Sequence, residues 1–76
     1  MLTNEIKHSI SVKFNNALNQ HNDGKLSLEQ VIALIDETAI QYPGEERQQN
    51  FYQVMRDLAK QCDAQLKKWQ QEKANV

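Results

Sequence analysis

Cysteine, proline and glycine are scarce in this sequence, which holds one cysteine, one proline and two glycines. The single cysteine, Cys62, has no partner within the chain, so a fold built on disulfide bonds is excluded. Long apolar runs are also absent, and no segment approaches the roughly 20 apolar residues of a membrane-spanning helix. The first residues lack the basic-then-apolar order of a signal peptide. We therefore expect a cytoplasmic protein with no membrane partner.

A strong excess of charge of one sign is missing as well, because nine basic and ten acidic residues give a net charge of −1. The chain as a whole is therefore not an obvious binder of polyanions. The two halves differ, however: residues 1–46 carry seven acids and three lysines, and residues 47–76 carry six bases and three acids. This division fits either attraction between packed helices or one charged face for a partner.

The most apolar segment lies in the middle of the chain and carries clear helix signals at both ends. Ser27 and Gln30 are spaced as a capping box, in which each side chain bonds a free backbone N–H group at the start of the helix. Pro43 cannot continue the backbone hydrogen bonds, and Gly44 permits a turn. The pattern predicts a helix over about residues 28–41. Its wide apolar face is formed by Leu28, Val31, Ile32, Ile35, Ala39 and Tyr42.

Two further amphipathic segments flank this central helix. Thr3 can cap the first, predicted over about residues 4–20, and Asn22 or Gly24 can end it in a left-handed conformation. Its apolar residues recur at helical spacing: Leu2, Ile6, Ile10, Phe14, Ala17 and Leu18. The third helix is predicted over about residues 45–73 from a second apolar stripe: Phe51, Met55, Leu58, Cys62, Leu66 and Trp69.

Consecutive helices joined by short connections lie side by side in helix bundles. The predicted fold class is therefore all-α: a three-helix antiparallel bundle with a long C-terminal third helix, forming a single small helical domain over residues 1–76. At about 1.5 Å per residue the third helix spans about 43 Å, against about 25 Å and 21 Å for the other two. The overhang carries Leu66 and Trp69. Either the domain covers this apolar stripe by packing within itself, or a second copy or another protein covers it.

Residues that carry metal-binding or catalytic chemistry form no recognisable motif. The loop over residues 19–30 resembles a calcium-binding EF-hand loop in register, with Gly24 at its sixth position. Asp23 is its only carboxylate at a ligand position, however, and Gln30 stands in place of the final glutamate, so calcium binding is not expected. The two histidines and Cys62 are too scattered for a zinc site. We therefore predict neither an enzyme nor a metal or cofactor site.

Four acidic residues flank the turn between the second and third helices, and we call them the acidic corner: Asp36, Glu37, Glu45 and Glu46. Asp36 and Glu37 lie near a helix C-terminus, where negative charge is mildly unfavourable. Tyr42, within the same corner, is a residue type that is enriched at protein interfaces. The acidic corner is either a solvated connector or a surface for a partner.

An alternative prediction is a small helix-turn-helix-like DNA-binding regulator formed by the second and third helices. The start of the third helix would then present Arg47, Gln48, Asn50 and Arg56, whose side chains are of types that contact bases and phosphates. The acidic corner would face the DNA phosphates, although neutralising phosphates supplies much of the affinity for DNA. The sequence therefore argues against nucleic acid as the partner.

The leading prediction is a small protein–protein interaction module that acts as a regulator, adaptor or inhibitor of a larger protein. Its partner is another protein, itself, or both, because two third helices could pair as a homodimer. The residues predicted to bind the partner belong to the overhang and to the acidic corner with its tyrosine: Leu66, Trp69, Asp36, Glu37, Glu45, Glu46 and Tyr42. This prediction rests partly on the elimination of the other classes.

Overall fold

A computed structural model describes residues 2–74 and shows three helices, α1 (Asn4–Asn22), α2 (Leu28–Gln41) and α3 (Glu46–Ala74). Residues 1, 75 and 76 of the predicted domain lie outside the described residues. Each helix packs against both of the others, so the predicted all-α bundle with a long third helix is confirmed. The observed helix ends differ from the predicted ones by two residues or fewer.

The starts of α1 and α2 follow the predicted capping chemistry. The Thr3 hydroxyl accepts a hydrogen bond from the Ile6 N–H at 3.1 Å. At α2 the capping box is complete: the Ser27 N–H donates to Gln30 Oε1 at 2.8 Å, and the Gln30 N–H donates to Ser27 Oγ at 3.2 Å. Each cap satisfies backbone donors that a helix start leaves free and contributes about 1 kcal/mol. Local sequence therefore fixes where these two helices begin.

Glycine supplies a left-handed residue at both interhelical turns. Gly24 has φ +79° after α1, and Gly44 has φ +63° before α3. Of the two predicted candidates for ending α1, the left-handed residue is thus Gly24, while Asn22 remains helical. Gly44 also allows a close approach, because a Cβ atom there would lie 2.6 Å from Gln48 Cβ and 3.0 Å from Leu2 Cδ1. The α2–α3 turn therefore packs directly on the first turn of α3.

The core lies where the three helices meet. Its centre is aromatic: the Phe14 ring stacks on Phe51 with centroids 5.9 Å apart and meets the Tyr52 ring edge-on at 6.1 Å. Such aromatic pairs contribute about 0.5–1.5 kcal/mol beyond the burial of their area. The buried hydrophobic residues come from all three helices: Ile10, Phe14, Ala17, Leu18, Val31, Ile35, Tyr52, Met55 and Ala59.

The buried face of α3 differs from the predicted stripe. Tyr52 and Ala59 are fully buried, although the predicted stripe ran through Phe51 and Leu58, and Leu58 is 39% exposed. The reason is that α3 lies between two helices, so its most buried line faces the junction of α1 and α2. The polar end of Tyr52 is satisfied there, because its hydroxyl donates to the Tyr42 carbonyl oxygen.

The molecule is elongated because α3 continues past its partners. Its principal extents are 52 × 19 × 16 Å and its radius of gyration is 14.1 Å, whereas a compact domain of this length would have a radius of about 11 Å. The last fully buried residue of α3 is Ala59. We call residues 60–74 the projecting end of α3.

Candidate functional site

The projecting end keeps an apolar face that the bundle covers only in part. Leu58 and Trp69 are 39% and 54% exposed, and Cys62 and Leu66 between them are partly buried. Together with the end of α1 they form an open groove of about 480 Å³, which we call the α3 groove. It is lined by Asn22, Leu58, Gln61, Cys62, Gln65, Leu66 and Trp69.

Trp69 lies at the far end of the α3 groove and does not pack on the bundle. The Lys73 ammonium sits 4.1 Å from the centroid of its ring, a cation–π contact worth about 0.5–1 kcal/mol at an exposed position. This contact orients the indole and leaves more than half of the residue exposed. The sequence left open whether the overhang is covered by packing within the domain or by a second copy or another protein. Packing within the domain does not extend to Trp69.

The projecting end is basic. Residues 60–73 carry four lysines and two acidic residues, a net charge of +2. One lysine is paired within the helix, because Lys67 Nζ lies 3.0 Å from Asp63 Oδ2. The other lysines, Lys60, Lys68 and Lys73, are exposed. The end of α3 that carries the open apolar groove therefore also carries a net positive charge.

A buried histidine fastens the base of the projecting end to the rest of the fold. His21 is 5% exposed; its Nδ1 lies 2.7 Å from the Leu26 carbonyl oxygen and its Nε2 lies 3.1 Å from Asp63 Oδ1. Both ring nitrogens therefore face oxygen atoms that can accept hydrogen bonds. His21 thereby links α1, the α1–α2 turn and α3. Sequence analysis assigned it no such role.

The charges around His21 act on Asp63 and Lys67. The hydrogen bond from Lys67 holds the pKa of the Asp63 carboxyl below its ordinary value of 3.8, aided by the positive charges of Lys67 and His21 and opposed by burial. The same hydrogen bond raises the pKa of the Lys67 ammonium. Asp63 is therefore held in its charged form by groups on two helices.

This arrangement predicts how acid affects stability. A carboxyl with a lowered pKa in the folded state contributes stability above its unfolded pKa, near 3.8, and loses that contribution as the pH falls through the folded value. We expect Asp63→Asn to have a lower free energy of unfolding than the wild type at neutral pH. This difference in free energy of unfolding should become smaller below about pH 4. Urea unfolding followed by circular dichroism across this pH range measures the difference in free energy of unfolding. The matched control is Asp57→Asn, because Asp57 is an exposed aspartate on the same helix. A difference in free energy of unfolding that stays constant on acidification would contradict the prediction.

The four residues of the acidic corner have different surroundings in the folded chain. Asp36 accepts a hydrogen bond from Arg56 Nε at 2.7 Å across the α2–α3 interface, so its charge is partly neutralised. The remaining three acids are exposed: Glu37, Glu45 and Glu46. Tyr42 is partly buried and packs against the core, and its role as an anchor for a partner stays a prediction. The sequence could not show the bond between Asp36 and Arg56, because these residues were assigned to two different predicted surfaces.

The four residues of the predicted nucleic-acid surface also differ in how far they are exposed. Arg47 and Asn50 are exposed at the start of α3. Gln48 is 8% exposed and lies close against Gly44, so its side chain is not presented to a base. The Arg56 guanidinium is held by Asp36. Two of the four predicted contact residues are thus engaged within the fold.

These observations define the class of protein as a three-helix bundle whose third helix projects and carries an open apolar groove. Comparisons with models of known protein families, with curated proteins and with solved structures give no match. Among residues 2–74, no three His, Cys, Asp or Glu side chains are grouped so as to hold a metal ion. None of the helices in that part of the chain combines the length and the apolar character needed to cross a bilayer.

Proposed function

We propose that this chain is a small protein-interaction module that acts as a regulator, adaptor or inhibitor of a larger protein, and that it binds through the α3 groove. The observation that carries the proposal is the exposure of Trp69 and Leu58 on a helix that continues beyond its own core. Tryptophan is among the residue types most enriched at the energetic hot spots of protein interfaces.

The charge of the projecting end favours a partner of different sequence over a second copy. Two copies paired through this segment would bring together two identical stretches of net charge +2, and like charges oppose association. An amphipathic helix with an apolar face and acidic flanks would match both the groove and the net positive charge of the projecting end, in the helix-in-groove manner. The proposed occupant is therefore an acidic, apolar-faced helix of a larger protein.

A double substitution in the groove tests the proposal. Leu66→Gln together with Trp69→Gln removes the two apolar groove residues that lie on the projecting end and keeps good helix-forming residues on a segment outside the core. Burial of one such side chain is worth about 1.5–3 kcal/mol, so we expect partner binding to weaken on the order of 100-fold. A photoreactive amino acid placed at Gln65 should cross-link the native partner in cells, and the double substitution should abolish the adduct.

The matched control removes exposed apolar residues outside the groove. Ile40 and Val54 are 82% and 60% exposed, and Ile40→Gln with Val54→Gln should leave the adduct intact. Equal loss in both double variants would contradict the proposal. An adduct of twice the chain mass would make the occupant a second copy, and an adduct to nucleic acid that weakens steeply with salt would favour the alternative DNA-binding function.

A further inference from the structure

The two hydrogen bonds of His21 require different numbers of protons on its ring. Nδ1 lies 2.7 Å from the Leu26 carbonyl oxygen and Nε2 lies 3.1 Å from Asp63 Oδ1. A neutral imidazole has one N–H group, whereas an imidazolium has two. The carbonyl oxygen has no proton to donate, and the lowered pKa of the Asp63 carboxyl keeps that group ionised. Only the doubly protonated ring therefore makes both hydrogen bonds.

A neutral ring would place a nitrogen lone pair against one of these oxygen atoms. The His21 and Asp63 side chains are 6% and 13% exposed, so water has little access to replace a missing bond. A buried polar atom that loses its partner costs more than an average hydrogen bond contributes. Either neutral form also weakens the tie to Asp63, because the ring has lost its positive charge.

The charges around His21 favour a positive ring. The charged residues near the contact belong to α3, to α2 and to the turn between α1 and α2: Asp63, Lys67, Glu29, Asp23 and Lys25. Glu29 acts on Lys67 and not directly on the ring, and the two turn residues are exposed. Three acids and two lysines leave one negative charge, which a protonated His21 balances.

The contact lies at the base of the α3 groove. Asn22 follows His21 in α1 and Cys62 precedes Asp63 in α3, and both of these neighbours line the groove. We propose that His21 is a pH-sensitive switch: the doubly protonated ring ties the end of α1 to both the α1–α2 turn and α3, and loss of one proton to water as the pH rises leaves a single, weaker tie. The consequence for partner binding rests on the proposed function of the groove, whereas the switch itself does not.

Nuclear magnetic resonance on the free, full chain tests the switch directly. Histidines change charge between about pH 5 and 8, so spectra at about pH 5.5 and about pH 8.5 bracket the change. At the lower pH both ring nitrogens of His21 should show the ¹⁵N shifts of N–H groups, and at the higher pH one should move far downfield. The backbone amides of Asn22 and Cys62 should shift together with the ring. In Asp63→Asn, His21 should lose its second proton at a lower pH than in the wild type.

Urea unfolding at the same two pH values gives a second test, with His21→Gln as the variant and His8→Gln as the matched control, because His8 is exposed. The extra hydrogen bond stabilises the fold at low pH and is lost as the pH rises. The folded-to-unfolded ratio of the wild type relative to His21→Gln should therefore fall on the order of tenfold, and His8→Gln should keep the wild-type pH dependence.

Three results would overturn the proposal. They are a neutral His21 ring at about pH 5.5, a ring that keeps both protons at about pH 8.5, and equal pH dependence in the wild type and His21→Gln. Amides of Asn22 and Cys62 that do not move with the ring would refute the link to the groove. Neither experiment includes a partner, so a failure of the switch would leave the proposed function of the α3 groove standing, and the cross-linking result would leave the switch standing.

Discussion

Replacing Phe14 by alanine is expected to abolish most of the stability of the fold. Phe14 is 1% exposed and contacts both other aromatic residues of the core, Phe51 and Tyr52. A buried Phe→Ala substitution costs about 3–5 kcal/mol. The entire free energy of unfolding of a domain of 76 residues is about 4–11 kcal/mol. We therefore expect Phe14→Ala to be partly or wholly unfolded at ambient temperature.

Urea unfolding followed by circular dichroism measures this effect, and Phe14→Leu provides a graded variant that remains folded. We expect Phe14→Leu to lose about 1–2 kcal/mol, because it shortens the side chain without emptying the site. Val12 lies on the same helix at 42% exposure, and Val12→Ala should change stability by less than about 0.5 kcal/mol. A Phe14→Ala protein with a wild-type unfolding midpoint would contradict the described core.

The second large effect is expected at His21. His21→Ala removes the hydrogen bonds that the ring makes with the Leu26 carbonyl oxygen and with Asp63 and leaves a buried gap between α1 and α3. Hydrogen bonds to charged groups are worth about 1.5–3 kcal/mol, and a buried acceptor left without a donor costs more than the bond itself. We therefore expect the free energy of unfolding to fall by about 2–3 kcal/mol. The other histidine, His8, is exposed, so His8→Ala is the matched control and should be nearly neutral.

A double-mutant cycle separates the hydrogen bond from the lost packing. If His21 acts through Asp63, the effects of His21→Ala and Asp63→Asn should fall short of additivity by about 0.5–3 kcal/mol. Additive effects would mean that His21 stabilises the fold by packing alone. Equal stability of His21→Ala and His8→Ala would contradict the whole description of this contact.

The helices were predictable from sequence because their signals are local. The capping box of Ser27 and Gln30 and the turn residues Pro43 and Gly44 act within a few positions of one another. Periodicity also placed the buried face of α2, where Val31 and Ile35 are each 1% exposed. Such signals do not depend on how the helices are arranged in space.

The features that periodicity missed depend on contacts between helices. Tyr52 lies outside the predicted apolar stripe. It is buried because α1 and α2 both face it, and its hydroxyl donates a hydrogen bond to the Tyr42 carbonyl oxygen. His21 and Asp63 are 42 positions apart, so their pairing has no local signature. The candidate site was partly predictable: the overhang with Leu66 and Trp69 follows from helix lengths, whereas the Asp36–Arg56 pair does not.

The projecting end of α3 has a thermodynamic consequence for any partner. Among residues 2–74, Asp63 is the last residue of α3 whose side chain is hydrogen-bonded to another helix. An isolated helical segment of about ten residues, such as the one that follows it, is marginally stable in water. We therefore expect its last turns to open and close without disturbing the core. A bound partner must therefore select the closed helix, and part of its binding free energy goes into ordering that segment. Affinity is then set partly by the helix propensity of residues that never contact the partner.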